Sequence, residues 1–587
     1  MLIGLSVVSL LFALAWVDEG GHQPPEGKAS HDALQRQLDA RARATFARTV
    51  PFGSPEARKE TVLPEVVAKA GSIGGRDGDL DQQIRVFTVT NEPGISRYIA
   101  DYGGRPPVAT AYAVGQTSGL RIVLAGQAGL PSGSFPTRIG IIQFRNDGTI
   151  DPDFSVSDIG RQYVDISNPQ LHLVSGLAVL DETIGTSFLH RIYLLAEDRS
   201  NPSQYNFALL CFRRPLDDPS AAFTVCPGFE PAGVRYYNAN LASSCPSNHS
   251  RPGAIALGIN AANLPVIYLG GSVQRTFNAC GDYDMAVLQV NIAGDPQTGF
   301  GPFGTGWATA FVSHSAGNPP YVGVARALFG LPAGTGVFFG GSVRNGAGSE
   351  HAILGRFNGS GSLVSSFCAA SDTSCDSPSS YRNGFRGFSS LPNGEVAAVA
   401  PLSFASGGRI ALVRARTTSS DAARAQLINA NGGCSTPLPC NEVVLAPAFG
   451  DGPLYPAAIL PRLDTNGIID PRFFVLVGWG MVSDPLSPTD GKAFAIALRD
   501  NETGSLVLDA GFASTPGAGH RNVITWPNNS GPSAVRDTRI HAAHRDRQGR
   551  ILLAGSNRAT EDSGGEYDMG FARLQGGRVF SDGFESP

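Results

Sequence analysis

Short apolar runs recur along most of the chain, and each ends in a small residue. RIVLAG closes at Gly126, RIYLLA at Ala196, VIYLGG at Gly271 and VFFGG at Gly341; EVAAVA closes at Ala400, FVLVG at Gly478 and RILLAG at Gly555. The steps between these residues run from about 59 to 78, a roughly regular period that marks a repeat architecture. Another strand, a turn and an aromatic residue follow most of the runs. IGIIQFRNDGTIDPDF covers Ile139–Phe154, and relatives begin at Met285, His351, Phe494 and Met569; the copies from Phe207 and Ile410 are looser. Apolar residues in them tend to alternate, as a half-buried strand requires. Their turns contain glycine, which suits a hairpin. A further apolar strand and turn precede each small-residue run, as before Gly394 and Gly549. Each unit is therefore expected to hold a hairpin, a third strand and a fourth. The units fall at about 107–170, 171–248, 249–318, 319–386, 387–452, 453–531 and 532–584.

The best-kept copies are RIVLAG with NDGTIDPDF, VIYLGGSV with DYDMAVLQVN, and RILLAGSN with EYDMGFARL. These residues resemble the delta-60 repeat family over about four-fifths of the chain. The resemblance implies a β-propeller-like fold and an exported or surface-associated bacterial protein, and it implies no single function. The Asp that follows the Gly-x-x turn in that family is clear here only as Asp151.

Four-stranded units of this period bury both faces by stacking linearly or by closing radially as blades. The last unit stops at its turn, and RVFTVTNEPGISRYIADYGG from Arg85 looks like the missing half of a unit. The fold expected is thus all-β, a β-propeller of about seven four-stranded blades, with a linear stacked β array as the alternative. The repeat domain is set at 83–587, with 84–106 completing the last unit.

The region ahead of the repeats reads differently. Residues 1–15 are almost wholly apolar and contain Ala13-Leu14-Ala15, the pattern that ends a signal peptide. The run is short for a membrane span, which needs about 20 residues, and no basic residue precedes it. Residues 16–82 form a polar linker with one expected helix, Asp32 to Arg48. Export also fits the even number of cysteines. Cys368 with Cys375 and Cys434 with Cys440 are close pairs in loops, and Cys226 with Cys245 would make a third loop clip. Cys211 and Cys280 are then left to join neighbouring repeats. A zinc site has little to recommend it, because no C-x-x-C occurs and Cys245 and His249 have no second ligand pair nearby.

Composition narrows the partners. With 72 Gly and 41 Pro but 42% hydrophobic residues, the glycines and prolines punctuate buried segments and do not mark disorder. Net charge is −5 and no basic stripe occurs, which excludes a nucleic-acid partner. The signatures of common hydrolases, zinc proteases and nucleotide-binding loops are missing. His541 and His544 are three apart, on opposite faces of a strand. Calcium has two candidate sets of alternating carboxylates, Asp77, Asp79 and Asp81, and Asp151 with Asp153; otherwise no cofactor is expected. Asp282 with Asp284, and Glu566 with Asp568, open equivalent strands of two units, a recurrence that reads as architecture. Trp307, Trp479 and Trp526 could line a sugar-binding groove, although core packing is the more common fate of Trp.

The expected function is a non-catalytic scaffold, secreted or at the cell surface or periplasm, monomeric, binding a surface glycan or a protein through its variable loops. The alternative is a hydrolase or lyase using acids at the mouth of a central channel. A purely structural cell-surface component is a third reading.

Overall fold

The computed structural model describes Ile95–Tyr98 and, outside a number of connecting segments, residues 108–579. The expected leader at 1–15 and the linker at 16–82 with its helix lie outside the described residues. Among those residues the regular structure is strand throughout, in six hydrogen-bonded sheets. The largest sheet consists of two four-stranded groups, 250–310 and 322–368, joined through one parallel pair, Tyr283 with Val322. The other five sheets are built mainly on consecutive antiparallel strands, with short parallel additions at Val443–Val444 and Arg578–Val579.

The group Ser250–Ile259, Pro265–Arg275, Asp282–Asn291 and Trp307–Ala310 shows how the sequence makes the fold. Its second strand is buried along nearly its whole length, so both of its faces must be apolar. Side chains alternate between faces. Ile267, Leu269 and Val273 enter a core shared with the preceding group, where they meet Leu195, Phe207 and Leu209. Val266 and Tyr268 enter a core shared with the following group, where they meet Val337, Phe339 and Phe357. One strand thus glues two interfaces, which explains why the run is continuously hydrophobic.

The small residue that ends each run also has a structural cause. In several groups the first strand carries a bulge, and the small residue sits opposite it. Gly271 faces Pro252, Gly341 faces Ala325, Gly478 faces Pro456 and Gly555 faces Ile540, each where the register shifts. The bulge pushes backbone toward the second strand. A Cβ on Gly341 would lie 1.8 Å from the Val324 carbonyl oxygen, and one on Gly555 would lie 1.8 Å from that of Arg539.

The first strands of successive groups are Val108–Gln116, Leu171–Ile184, Ser250–Ile259, Val322–Gly330, Gly387–Ser390, Leu454–Asp464 and Asp537–Arg545. Each contacts the next, and the last contacts the first. The sheet of Asp537–Arg545, Ile551–Arg558 and Asp568–Leu574 takes Ile95–Tyr98 as its fourth strand, antiparallel, with Ile95 opposite Ala572. Val114, Leu124 and Phe144 share a core with Leu552, Ala554 and Phe571, and the rings of Phe144 and Phe571 are 4.7 Å apart. Polar hooks reinforce the same contact. Arg550 donates to Asn146 Oδ1 at 2.9 Å, and Arg573 donates to the Asn146 carbonyl at 2.6 Å.

The disulfide arrangement corrects one expectation. Cys211 bonds to Cys226, with Cα atoms 5.4 Å apart, so Cys226 does not pair with Cys245 and Cys211 does not join a neighbouring repeat. The cause is strand pairing: Thr224–Val225 lies beside Gln204–Pro215, with Val225 opposite Phe212, and this brings Cys226 next to Cys211. Cys245 is also disulfide-bonded. Cys368 ends a strand, whereas Cys280, Cys375, Cys434 and Cys440 lie outside the described residues.

Candidate functional site

In an antiparallel group, the end of the second strand, the start of the third and the start of the next group's first strand share one edge. Between the second and third groups that edge gathers Glu197, Arg199, Tyr205, His249, Arg251 and Tyr283. Glu197 follows the small Ala196 near the end of Ser187–Asn201, and Tyr205 opens Gln204–Pro215. The hairpin between them is held by side chains. Asp198 accepts from the Ser200 amide at 3.0 Å and from Asn206 Nδ2 at 2.8 Å, and Asn201 accepts from the Ser203 amide at 2.9 Å. Such Asx turns fix a tight connection. Asn238 Nδ2 donates to the Tyr205 carbonyl at 2.8 Å and to the Asn248 carbonyl at 3.0 Å, which ties the incoming loop to the hairpin.

His249 is buried and accepts the Tyr205 amide proton on Nδ1 at 3.1 Å, with its ring 4.1 Å from the Tyr205 ring. Burial, aided by Arg251, lowers its pKa. A ring that accepts on Nδ1 and resists protonation is a neutral prop.

Arg199 Nε donates to Glu197 Oε2 at 2.7 Å. Arg251 Nε stands 3.7 Å from Glu197 Oε1, and that oxygen is buried and accepts no hydrogen bond among the described residues. The Arg251 guanidinium lies 5.0 Å from the Tyr205 ring centroid and 5.7 Å from that of Tyr283, and its side chain is 46% exposed. Burial raises the Tyr283 phenol, with Arg251 opposing, so the hydroxyl keeps its proton. The cluster therefore offers one carboxylate oxygen with spare acceptor capacity, two phenols and one half-exposed cation.

Asp282 and Asp284 lie on the opposite face of the strand from Tyr283, and both are buried. Arg275 Nη1 reaches Asp284 at 3.2 Å. Burial pushes the Asp284 carboxyl up to about 6 against the pull of Arg275, with Asp282 adding to the rise. The structure thus packs this pair inside the sheet, with Arg275 beside Asp284. Glu566 lies outside the described residues.

The remaining candidates have structural roles. Asp151 accepts from Gln143 at 2.7 Å and has Arg121 at 3.1 Å, Arg214 at 3.6 Å and Arg145 at 3.8 Å. Three guanidinium groups already neutralise that carboxylate and would repel Ca²⁺. Asp77, Asp79, Asp81 and Asp153 lie outside the described residues. Trp307 is buried against Phe207, edge to face at 5.1 Å. Trp479 stacks on Tyr455 at 4.2 Å and has Arg539 of the last group 4.8 Å from its ring, so it fastens two groups together. Trp526 lies outside the described residues. The His541 ring meets Tyr112 at 5.1 Å, and His544 is half-buried.

Sequence reasoning missed the cluster at Glu197 because its members form no motif. One signal was present. The position after the small residue holds Gln127, Ser272, Ser342 and Ser556 in other units, and Glu197 places a carboxylate there.

No family model and no curated protein matches the chain. Several solved structures are similar to it. Sqt1 from Chaetomium thermophilum is 11% identical, with 80% of this chain and 97% of that chain covered and a TM-score of 0.35. Polysaccharide lyase Uly1 is 7% identical, with 86% and 98% covered and a TM-score of 0.36. A point mutant of NanB sialidase from Streptococcus pneumoniae is 9% identical, with 88% and 73% covered and a TM-score of 0.31. Two of these three are enzymes by name, a lyase and a sialidase. The expectation of a non-catalytic scaffold, and with it the leaning against an enzyme, is corrected accordingly. That expectation had rested on finding no catalytic set along the sequence, whereas the fold brings a carboxylate, two phenols and a guanidinium together from separate strands.

Proposed function

We propose that this protein is a hydrolase or lyase acting on a glycan, with Glu197 at its reactive centre. The observation that carries the reading is the uncommitted Oε1 of Glu197, buried beside Arg251 at the edge where Tyr205 and Tyr283 meet. In hydrolysis Glu197 would take a proton from water as it attacks the glycosidic carbon; in elimination it would take one from a sugar carbon. In either case a phenol, Tyr205 or Tyr283, gives a proton to the departing oxygen, and Arg251 stabilises negative charge as it develops.

The scaffold beneath the site is proposed to be a closed propeller of seven blades. The unbroken circuit of first-strand contacts and the shared core of Phe144 and Phe571 support it. The repeat is proposed to be of the delta-60 kind, on the strength of its recurring strand-end and turn motifs. Export is proposed from the disulfide, which suits an oxidising compartment. No helix among the described residues is long and apolar enough to cross a membrane.

The test is a panel of plant, algal and bacterial polysaccharides, read for new reducing ends and for the ultraviolet absorbance of unsaturated products. Wild-type protein should generate one or the other. Glu197→Gln should cut the rate by about 10²–10⁴ with the fold retained. Tyr205→Phe and Tyr283→Phe, taken singly, identify the proton donor. Full activity in Glu197→Gln would remove the reading.

A further inference from the structure

We infer, building on the reading of this edge as a glycan site, that Arg251 binds the carboxylate of an acidic sugar, with Tyr205 and Tyr283 as its platform. Other arginines near group boundaries are committed to the fold. Arg275 holds Asp284, Arg550 holds Asp546 and Asn146, and Arg573 holds Asn146. Arg251 is different. Its Nε faces Glu197 and two aromatic rings flank it, yet among the described residues nothing accepts a hydrogen bond from its guanidinium. A guanidinium placed so keeps its Nη pair for an incoming acceptor, and that planar fork matches a carboxylate with two parallel hydrogen bonds. The hydroxyls of Tyr205 and Tyr283 likewise have no partner among the described residues. Rings with a polar end suit a sugar, which offers C–H faces and hydroxyls together.

Charge selects the kind of anion. Glu197 lies 3.7 Å from the Arg251 Nε, so an anion on the same arginine also feels a neighbouring carboxylate. A phosphate monoester, carrying nearly two negative charges, gains in attraction to Arg251 but also in repulsion by Glu197, and it and a sulfate ester are tetrahedral where the carboxylate, like the fork, is planar. A singly charged uronate is the better fit.

The experiment is calorimetric titration of the full chain with trigalacturonate, with neutral galactotriose and with a sulfated galactotriose. Wild type should bind trigalacturonate at least tenfold more tightly than galactotriose, and binding should weaken with salt. Arg251→Ala should lose roughly ten- to a hundredfold of that affinity. Arg251→Lys should recover only part, because it restores charge without the fork. Matching thermal melts of the variants exclude misfolding. Equal binding of the neutral sugar, stronger binding of the sulfated one, no sugar binding, or an Arg251→Ala variant that binds like wild type would each overturn the inference. Binding is read apart from turnover. Arg251-dependent binding of trigalacturonate without cleavage of any polysaccharide would uphold this inference and count against the enzyme; cleavage of neutral glycans alone would do the reverse.

Discussion

Two boundaries of the molecule are built on the same frame and finished differently. Where the last group meets the first, polar groups are engaged with the protein itself. Arg550 is held by Asp546 at 2.7 Å and reaches Asn146, Arg573 is fully buried on the same asparagine, and Phe144 and Phe571 close the core beneath. Where the second group meets the third, the core is likewise buried, but the edge above it carries a carboxylate oxygen, two phenols and an arginine with capacity to spare. A boundary whose arginines are hydrogen-bonded to the protein itself holds the molecule together. One that leaves them unengaged carries a stability cost that a ligand can offset, since unmet hydrogen-bonding groups are unfavourable.

The sharpest break in this contrast comes from removing one arginine on each side. Arg573→Ala should destabilise the fold by about 3–5 kcal/mol, because it empties a large buried site and orphans the Asn146 carbonyl. Arg251→Ala should change stability by less than about 0.5 kcal/mol, as for an exposed residue, while altering ligand binding. Chemical denaturation of both variants checks the pair; equal losses would erase the distinction.

The next effect is in pH. The Asp284 carboxyl, near 3.8 when unfolded and about 6 in the fold, holds its proton more tightly in the folded state. Its contribution to stability is therefore fully present below 3.8, falls as pH rises toward 6 and is constant beyond. The magnitude is about 3 kcal/mol for a shift of this size. In Asp284→Asn this part of the slope should vanish from thermal melts taken between pH 4 and 7.

The smallest effect tests what the boundaries share. Gly271→Ala and Gly555→Ala each press a methyl onto bulge backbone, at the carbonyl oxygens of Arg251 and Arg539, and should cost about 1–3 kcal/mol apiece. Similar melting shifts are expected from both. A harmless substitution at either glycine would mean that the bulge yields.

These cases also show what could be read along the chain. Runs such as RIVLAG and VIYLGG display their strand character locally, because continuous apolarity and two-residue alternation need no knowledge of neighbours. The reason for their closing glycines was not legible, since it lies in a bulge on another strand. Position in the repeat favoured Cys226 with Cys245, whereas a short added strand places Cys226 on Cys211. The Glu197 edge was hidden for the same reason. Its residues belong to four strands of two groups, and only packing makes them neighbours.

One pairing constrains how the molecule comes into being. Arg573 and Asn146 are 427 residues apart in sequence, and Ile95–Tyr98 waits for Asp568–Leu574. A chain made from its amino end must therefore keep Phe144 without its partner ring until nearly all of the remaining residues have emerged. Loop-closure entropy makes such a contact among the last to form. The nascent protein thus passes most of its synthesis with one unfinished sheet and an uncovered aromatic patch, a period in which self-association competes with completion and a holdase has something to grip.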